Sequence, residues 1–149
     1  MIGYTPKHRR PHPKGFVGLA VGLFLAVALV AQVAMAGNPH FVTATASRSG
    51  NTLSVSFKEA GLGNEAQVHV VLSATALCIN GGGKHPKAVN KTSVNSAGDF
   101  PVQNGKAEGT LSVTATFQPS CSPPMTVQFT DVSLVDETSG ARANIPGTF

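Results

Sequence analysis

Beyond residue 40, apolar and polar residues alternate with a period of two, the mark of strands with one buried face. Leu53, Val55 and Phe57 alternate with Ser54, Ser56 and Lys58. Val68, Val70 and Leu72 do the same at the start of a longer strand over 67–78. Leu111, Val113, Ala115 and Phe117 alternate with Thr110, Ser112, Thr114 and Thr116 in the cleanest stretch of the chain. Met125, Val127 and Phe129 open a further strand, after which Val132 and Leu134 carry the pattern on the opposite parity. One extra residue produces such a change, so a β-bulge or kink is predicted at Thr130-Asp131. Weaker patterns predict an edge strand over 41–46, a short strand at 92–94, another around Phe100 and Val102, and a last one through Ala141, Ala143 and Ile145.

Turn chemistry separates these runs. It falls at Ser49-Gly50-Asn51, in a loop over 59–64, at 95–99, at Asn104-Gly105, over 119–124 and at 137–140. Asn-Gly is a strong hairpin signal. Seven or eight short strands with turns every ~8–12 residues predict an all-β chain folded as a single antiparallel β-sandwich. An immunoglobulin-like arrangement is expected; a jelly roll or small barrel shares the same rhythm.

The first 36 residues break this pattern. Lys7, Arg9, Arg10 and Lys14 are basic with no acid among them, an apolar run covers 16–31, and Ala34-Met35-Ala36 follows. A basic region, an apolar core and an Ala-x-Ala site form a secretory signal peptide. Cleavage after Ala36 leaves a secreted domain over 37–149 with no stable membrane insertion. Left uncleaved, the same segment would anchor the domain through an N-terminal helix.

The leader changes the meaning of the charge. The formal net charge of the whole chain is +4, but four of its eleven basic residues lie in the leader and all seven acids lie beyond it. The mature domain therefore carries seven of each. The basic patch that nucleic-acid binding requires is not indicated.

Two cysteines in an exported chain predict one disulfide, Cys78 to Cys121. Both fall at strand ends beside loops, so the bond is expected to staple two loops at one pole of the sandwich. The stretch after Cys78 reads Ile-Asn-Gly-Gly-Gly-Lys-His-Pro-Lys-Ala-Val-Asn-Lys. It lacks the Gly-x-x-x-x-Gly-Lys-Ser/Thr spacing of a phosphate loop. Asn80 and Asn90 would supply directional hydrogen bonds, Lys84, Lys87 and Lys91 charge, and Met125 an apolar contact. With His85 these form the predicted binding pole. Asn90-Lys91-Thr92 also fits a glycosylation acceptor.

Metal and catalytic signals are weak. His40, His69 and His85 lie far apart in sequence, and no metal-ligand spacing links them. Asp131, Asp136 and Glu137 are the nearest approach to a Ca²⁺ set. There is no Gly-x-Ser-x-Gly elbow. The chain therefore reads as non-catalytic, with no cofactor and no metal.

Cys78, Asn80-Gly81-Gly82-Gly83, His85-Pro86-Lys87-Ala88 and Asn90-Lys91, continuing through Gly98-Asp99-Phe100 and Phe117-Gln118-Pro119 to Cys121, resemble uncharacterised small secreted bacterial proteins. That resemblance implies export and a single domain, and brings no activity. In size and strand rhythm the chain is also similar to neocarzinostatin-type apoproteins, secreted immunoglobulin-like carriers of small chromophores. Those have two disulfides, whereas this chain has cysteines for one. The expected function is a secreted binding or surface-interaction module for an extracellular ligand or cell-surface component. The alternative is an immunoglobulin-like carrier of a small hydrophobic ligand.

Overall fold

The structure is a computed structural model and describes residues 37–80 and 90–149. The predicted leader and the glycine run after Asn80 lie outside the described residues. Seven strands are present among the described residues: β1 (His40–Ser49), β2 (Thr52–Ala60), β3 (Gln67–Ile79), β4 (Lys91–Pro101), β5 (Lys106–Thr114), β6 (Thr126–Asp136) and β7 (Arg142–Ile145). They form two antiparallel sheets, one of order β1-β2-β5 and one of order β4-β3-β6-β7. The chain passes from the first sheet to the second between β2 and β3, returns between β4 and β5, and crosses again between β5 and β6.

The alternation seen in the sequence sets the inward faces. Leu53 and Val55 of β2, Val68, Val70 and Leu72 of β3, and Phe129 and Leu134 of β6 expose no surface at all. They belong to one core cluster shared by both sheets, which makes the fold a β-sandwich. Burying each such side chain stabilises the fold by about 1.5–3 kcal/mol.

The parity change in β6 is a bulge. Asp131 has φ +52°, and where β3 advances from Ser73 to Thr75, β6 steps from Ser133 to Thr130. One extra residue on β6 moves the inward set from Val127 and Phe129 to Val132, Leu134 and Asp136. The Asn104-Gly105 turn also forms as the sequence predicts. Its two residues have φ +53° and +71°, and Gln103 and Lys106 exchange backbone hydrogen bonds of 2.8 and 3.1 Å. Positive φ at both central residues gives a two-residue hairpin the twist of its flanking strands.

Three expectations are corrected. The short strand at 92–94 and the turn at 95–99 are one continuous strand, β4, in unbroken register with β3 from Leu77↔Lys91 to Gln67↔Pro101. The residues 95–99 favour turns when isolated, but cross-strand pairing along β3 outweighs that preference. The loop predicted from Glu59 begins later, because β2 runs to Ala60 and carries Glu59 on its inward face. Finally, β5 starts directly after the Asn-Gly turn and ends at Thr114, so Ala115 and Phe117 lie beyond it.

Gly109 of β5 lets the first sheet come close to Phe100 of the second. It pairs with Phe57 across β2 and β5, and a Cβ there would overlap the Phe100 ring. That ring meets Phe57 edge to face, with centroids 4.9 Å apart.

Candidate functional site

The strands place two chemically different poles at opposite ends of the sandwich. At the first, β3 ends beside the start of β6, with Ile79 opposite Thr126, and beside the start of β4, with Leu77 opposite Lys91. The connection 115–125 crosses this pole from the first sheet to the second. It leaves beside the β1–β2 hairpin, where the Ala115 N–H donates to Asn51 O at 2.9 Å.

Cys78 and Cys121 are bonded here, with Cα atoms 5.8 Å apart. Cys78 is buried on the inward face of β3, and Cys121 is half-buried within the connection. The bond therefore fastens that connection to the end of β3. Closing a loop of 43 residues stabilises the fold by about 4 kcal/mol in the chain-entropy picture.

Of the predicted binding residues, Asn80 is exposed just past β3, Asn90 is half-buried, and Lys91 is exposed at the first position of β4. Met125 is half-buried beside the bond, its N–H donating to Ser122 O at 2.9 Å. Its sulfur lies 3.7 Å from Cys78 Sγ, a packing contact, since a bonded cysteine has no proton to donate. The fold thus gathers Asn80, Asn90, Lys91 and Met125 around the disulfide. Lys84, His85 and Lys87 lie outside the described residues.

The second pole holds a feature that the pattern reading missed. Glu59 on β2 and Asp136 on β6 are 1% and 0% exposed, one from each sheet. Ser139 Oγ donates to Glu59 Oε1 at 3.1 Å, and the Thr138 N–H donates to Asp136 Oδ1 at 2.8 Å. The other oxygens, Glu59 Oε2 and Asp136 Oδ2, are buried without a protein partner, and Asp136 is near enough to act on the Glu59 carboxyl. Burial first, and the Asp136 charge after it, push the Glu59 carboxyl up from 4.5 to about 7. The signal was present in the sequence. Glu59 continues the phase of Leu53, Val55 and Phe57, and Asp136 that of Val132 and Leu134.

Asp131, Asp136 and Glu137 do not form a metal set. No group of three or more His, Cys, Asp or Glu side chains gathers among the described residues. His69 instead pairs with Asp99 at 2.7 Å on the outer face of the second sheet. That hydrogen bond raises the pKa of His69 above its ordinary value.

The outer face of the first sheet is uniform. Register aligns Ser49, Thr52 and Thr114; Ser47, Ser54 and Ser112; and Thr45, Ser56 and Thr110 in three successive rows. Hydroxyls of β2 and β5 are hydrogen-bonded across each row at 2.7–2.9 Å. The next row ends in a Lys58–Glu108 ion pair of 3.0 Å. One hollow is lined by Thr43, Thr45, Ser56 and Thr110 of the first sheet, and another by Pro101 of β4 with Asn104, Lys106 and Glu108 at the edge where the two sheets meet.

No described helix is long and apolar enough to cross a membrane. No family model, curated protein or solved structure matches the chain.

Proposed function

We propose that the chain is a secreted, non-catalytic binding module of immunoglobulin-like topology that meets an extracellular ligand or cell-surface component with its disulfide pole. The observation that carries this reading is the Cys78–Cys121 bond, which fixes the 115–125 connection beside Asn80, Lys91 and Met125. A covalently held loop next to exposed polar residues loses little freedom on binding, which favours affinity. The disulfide itself belongs to an oxidising compartment, in keeping with export.

Strand order supports the topology. In the antibody constant domain, four strands (ABED) face three (CFG). Here the fourth strand in the chain pairs with the third, giving three facing four. The carrier alternative needs space between the sheets, and Leu53, Leu72, Phe129 and Leu134 fill that layer. No specific observation favours it.

The test is site-specific photo-crosslinking of the domain 37–149 on cells of the producing organism. A crosslinker at position 91 or 125 is expected to yield adducts, and the same group in place of Glu108 is not. Equal capture from all three positions overturns the assignment of the pole. So does unchanged capture after Lys84→Ala and Lys87→Ala are combined.

A further inference from the structure

The Glu59–Asp136 pair is not part of the proposed binding pole and has no catalytic access. Both carboxyls are sealed from solvent, so a substrate cannot touch them. Each keeps one bare oxygen in the gap between the sheets. Two carboxylates side by side in a buried gap repel each other, and neither bare oxygen has a protein donor. One proton between them removes both costs, because a protonated carboxyl donates to the other.

We propose that Glu59 and Asp136 form a proton-operated latch, in which one shared proton ties β2 of the first sheet to the β6–β7 hairpin of the second, and its loss loosens that pole. The mechanical link runs through the hairpin. Ser139 reaches across to Glu59, while Asp136 holds the Thr138 N–H and its backbone bonds to Gly140 and Ala141. Repulsion within the ionised pair therefore acts on the hairpin at Asp136, against the Ser139–Glu59 hydrogen bond, and strains residues 137–141.

Among the described residues, few charges act on Glu59. Asp136 on β6 faces Glu59 directly and raises its pKa, and the exposed His40 on β1 acts in the opposite sense. From the hairpin, the Ser139 hydroxyl favours the ionised form of Glu59. On the outer face, His69 of β3 is engaged by Asp99 of β4 and feels Glu137 and Asp136. Arg142 of β7 lies opposite Val135 and is exposed.

The sign follows from linkage. The unfolded chain releases the Glu59 proton near 4.5, and the folded chain keeps it to about 7. The stability that the shared proton contributes is complete below pH 4.5 and is lost as the pH climbs through about 7.

The experiment uses the intact, oxidised domain 37–149. Urea unfolding is followed from pH 4 to 8 in a His69→Gln background, which removes the second group that titrates with the same sign. The folding constant is expected to fall on the order of a hundredfold across this range. The additional Glu59→Gln substitution, which keeps a donor but cannot ionise, is expected to flatten that fall. In the unsubstituted domain, the ¹³C carboxyl shift of Glu59 should titrate near 7. Amide exchange at residues 138, 140 and 141, corrected for base catalysis, should lose protection over the same range. A Glu59 carboxyl that titrates near 4.5, or parallel stability profiles with and without Glu59→Gln, overturns the latch.

Discussion

The two poles solve one problem, holding two sheets together at their ends, with different chemistry. At one end, Cys78 and Cys121 join β3 to the crossing connection by a covalent bond. At the other, Glu59 and Asp136 meet across the sheets with two bare oxygens and room for a proton. The first link is indifferent to pH across the physiological range. The second depends on it, because the Glu59 carboxyl is pushed up to about 7. The domain therefore has a permanent end, where the proposed binding residues sit, and a conditional end. The connection at the covalent end can hold a fixed shape while the far end loosens.

The comparison is broken most completely by deleting Asp131. That removes the extra residue of β6 and turns Val132, Leu134 and Asp136 to the outer face. The loss of two buried aliphatic side chains alone amounts to about 4 kcal/mol. The deletion variant is expected to be unfolded, with a collapsed amide spectrum. A folded variant that keeps Asp136 inside would show that the bulge does not set the phase.

Replacing both cysteines by alanine comes next, at about 4 kcal/mol or slightly less. Urea unfolding at pH 5 and pH 8 should show the same loss at each. A loss that varies with pH would mean that the poles are coupled. The latch ranks third, and its sign is opposite. Above pH 7, Glu59→Gln should stabilise the domain by about 2–3 kcal/mol. Along β3, Cys78 lies well beyond Val70, the partner of Asp136, a separation of roughly 25 Å, so the two effects should add.

Ser139→Ala is the smallest change. It removes the hydroxyl that favours ionised Glu59, so the Glu59 pKa should rise further. The domain should lose about 1 kcal/mol, mostly above pH 7. An unchanged Glu59 titration in this variant would remove the hairpin from the latch.

Much of the fold was legible in the alternation. The inward sets of β2, β3 and β6, the bulge, the Asn104-Gly105 hairpin and the disulfide could all be read from residue order. The continuous β4 could not. Asn95-Ser96-Ala97-Gly98-Asp99 has the chemistry of a turn, and only pairing along β3 makes it a strand. Gly98 also fits that strand for a long-range reason, since the Leu111 and Phe100 side chains occupy the space a larger residue would need. The binding pole was legible as a place, through its cysteines. The carboxyl pair was hidden because acidic residues read as surface, and Glu59 sits where turn chemistry begins. Its phase with Leu53 and Val55 was the better guide.

The hydroxyl rows on the first sheet have a colloidal consequence. With equal numbers of acids and bases over 37–149, the domain has no net charge to keep its copies apart in solution. Three rows of Ser and Thr, partly bonded to one another, present hydroxyls to a neighbouring molecule. Such a face is expected to resist clumping by holding water instead of by repulsion, so raising the salt concentration should remove little of that protection.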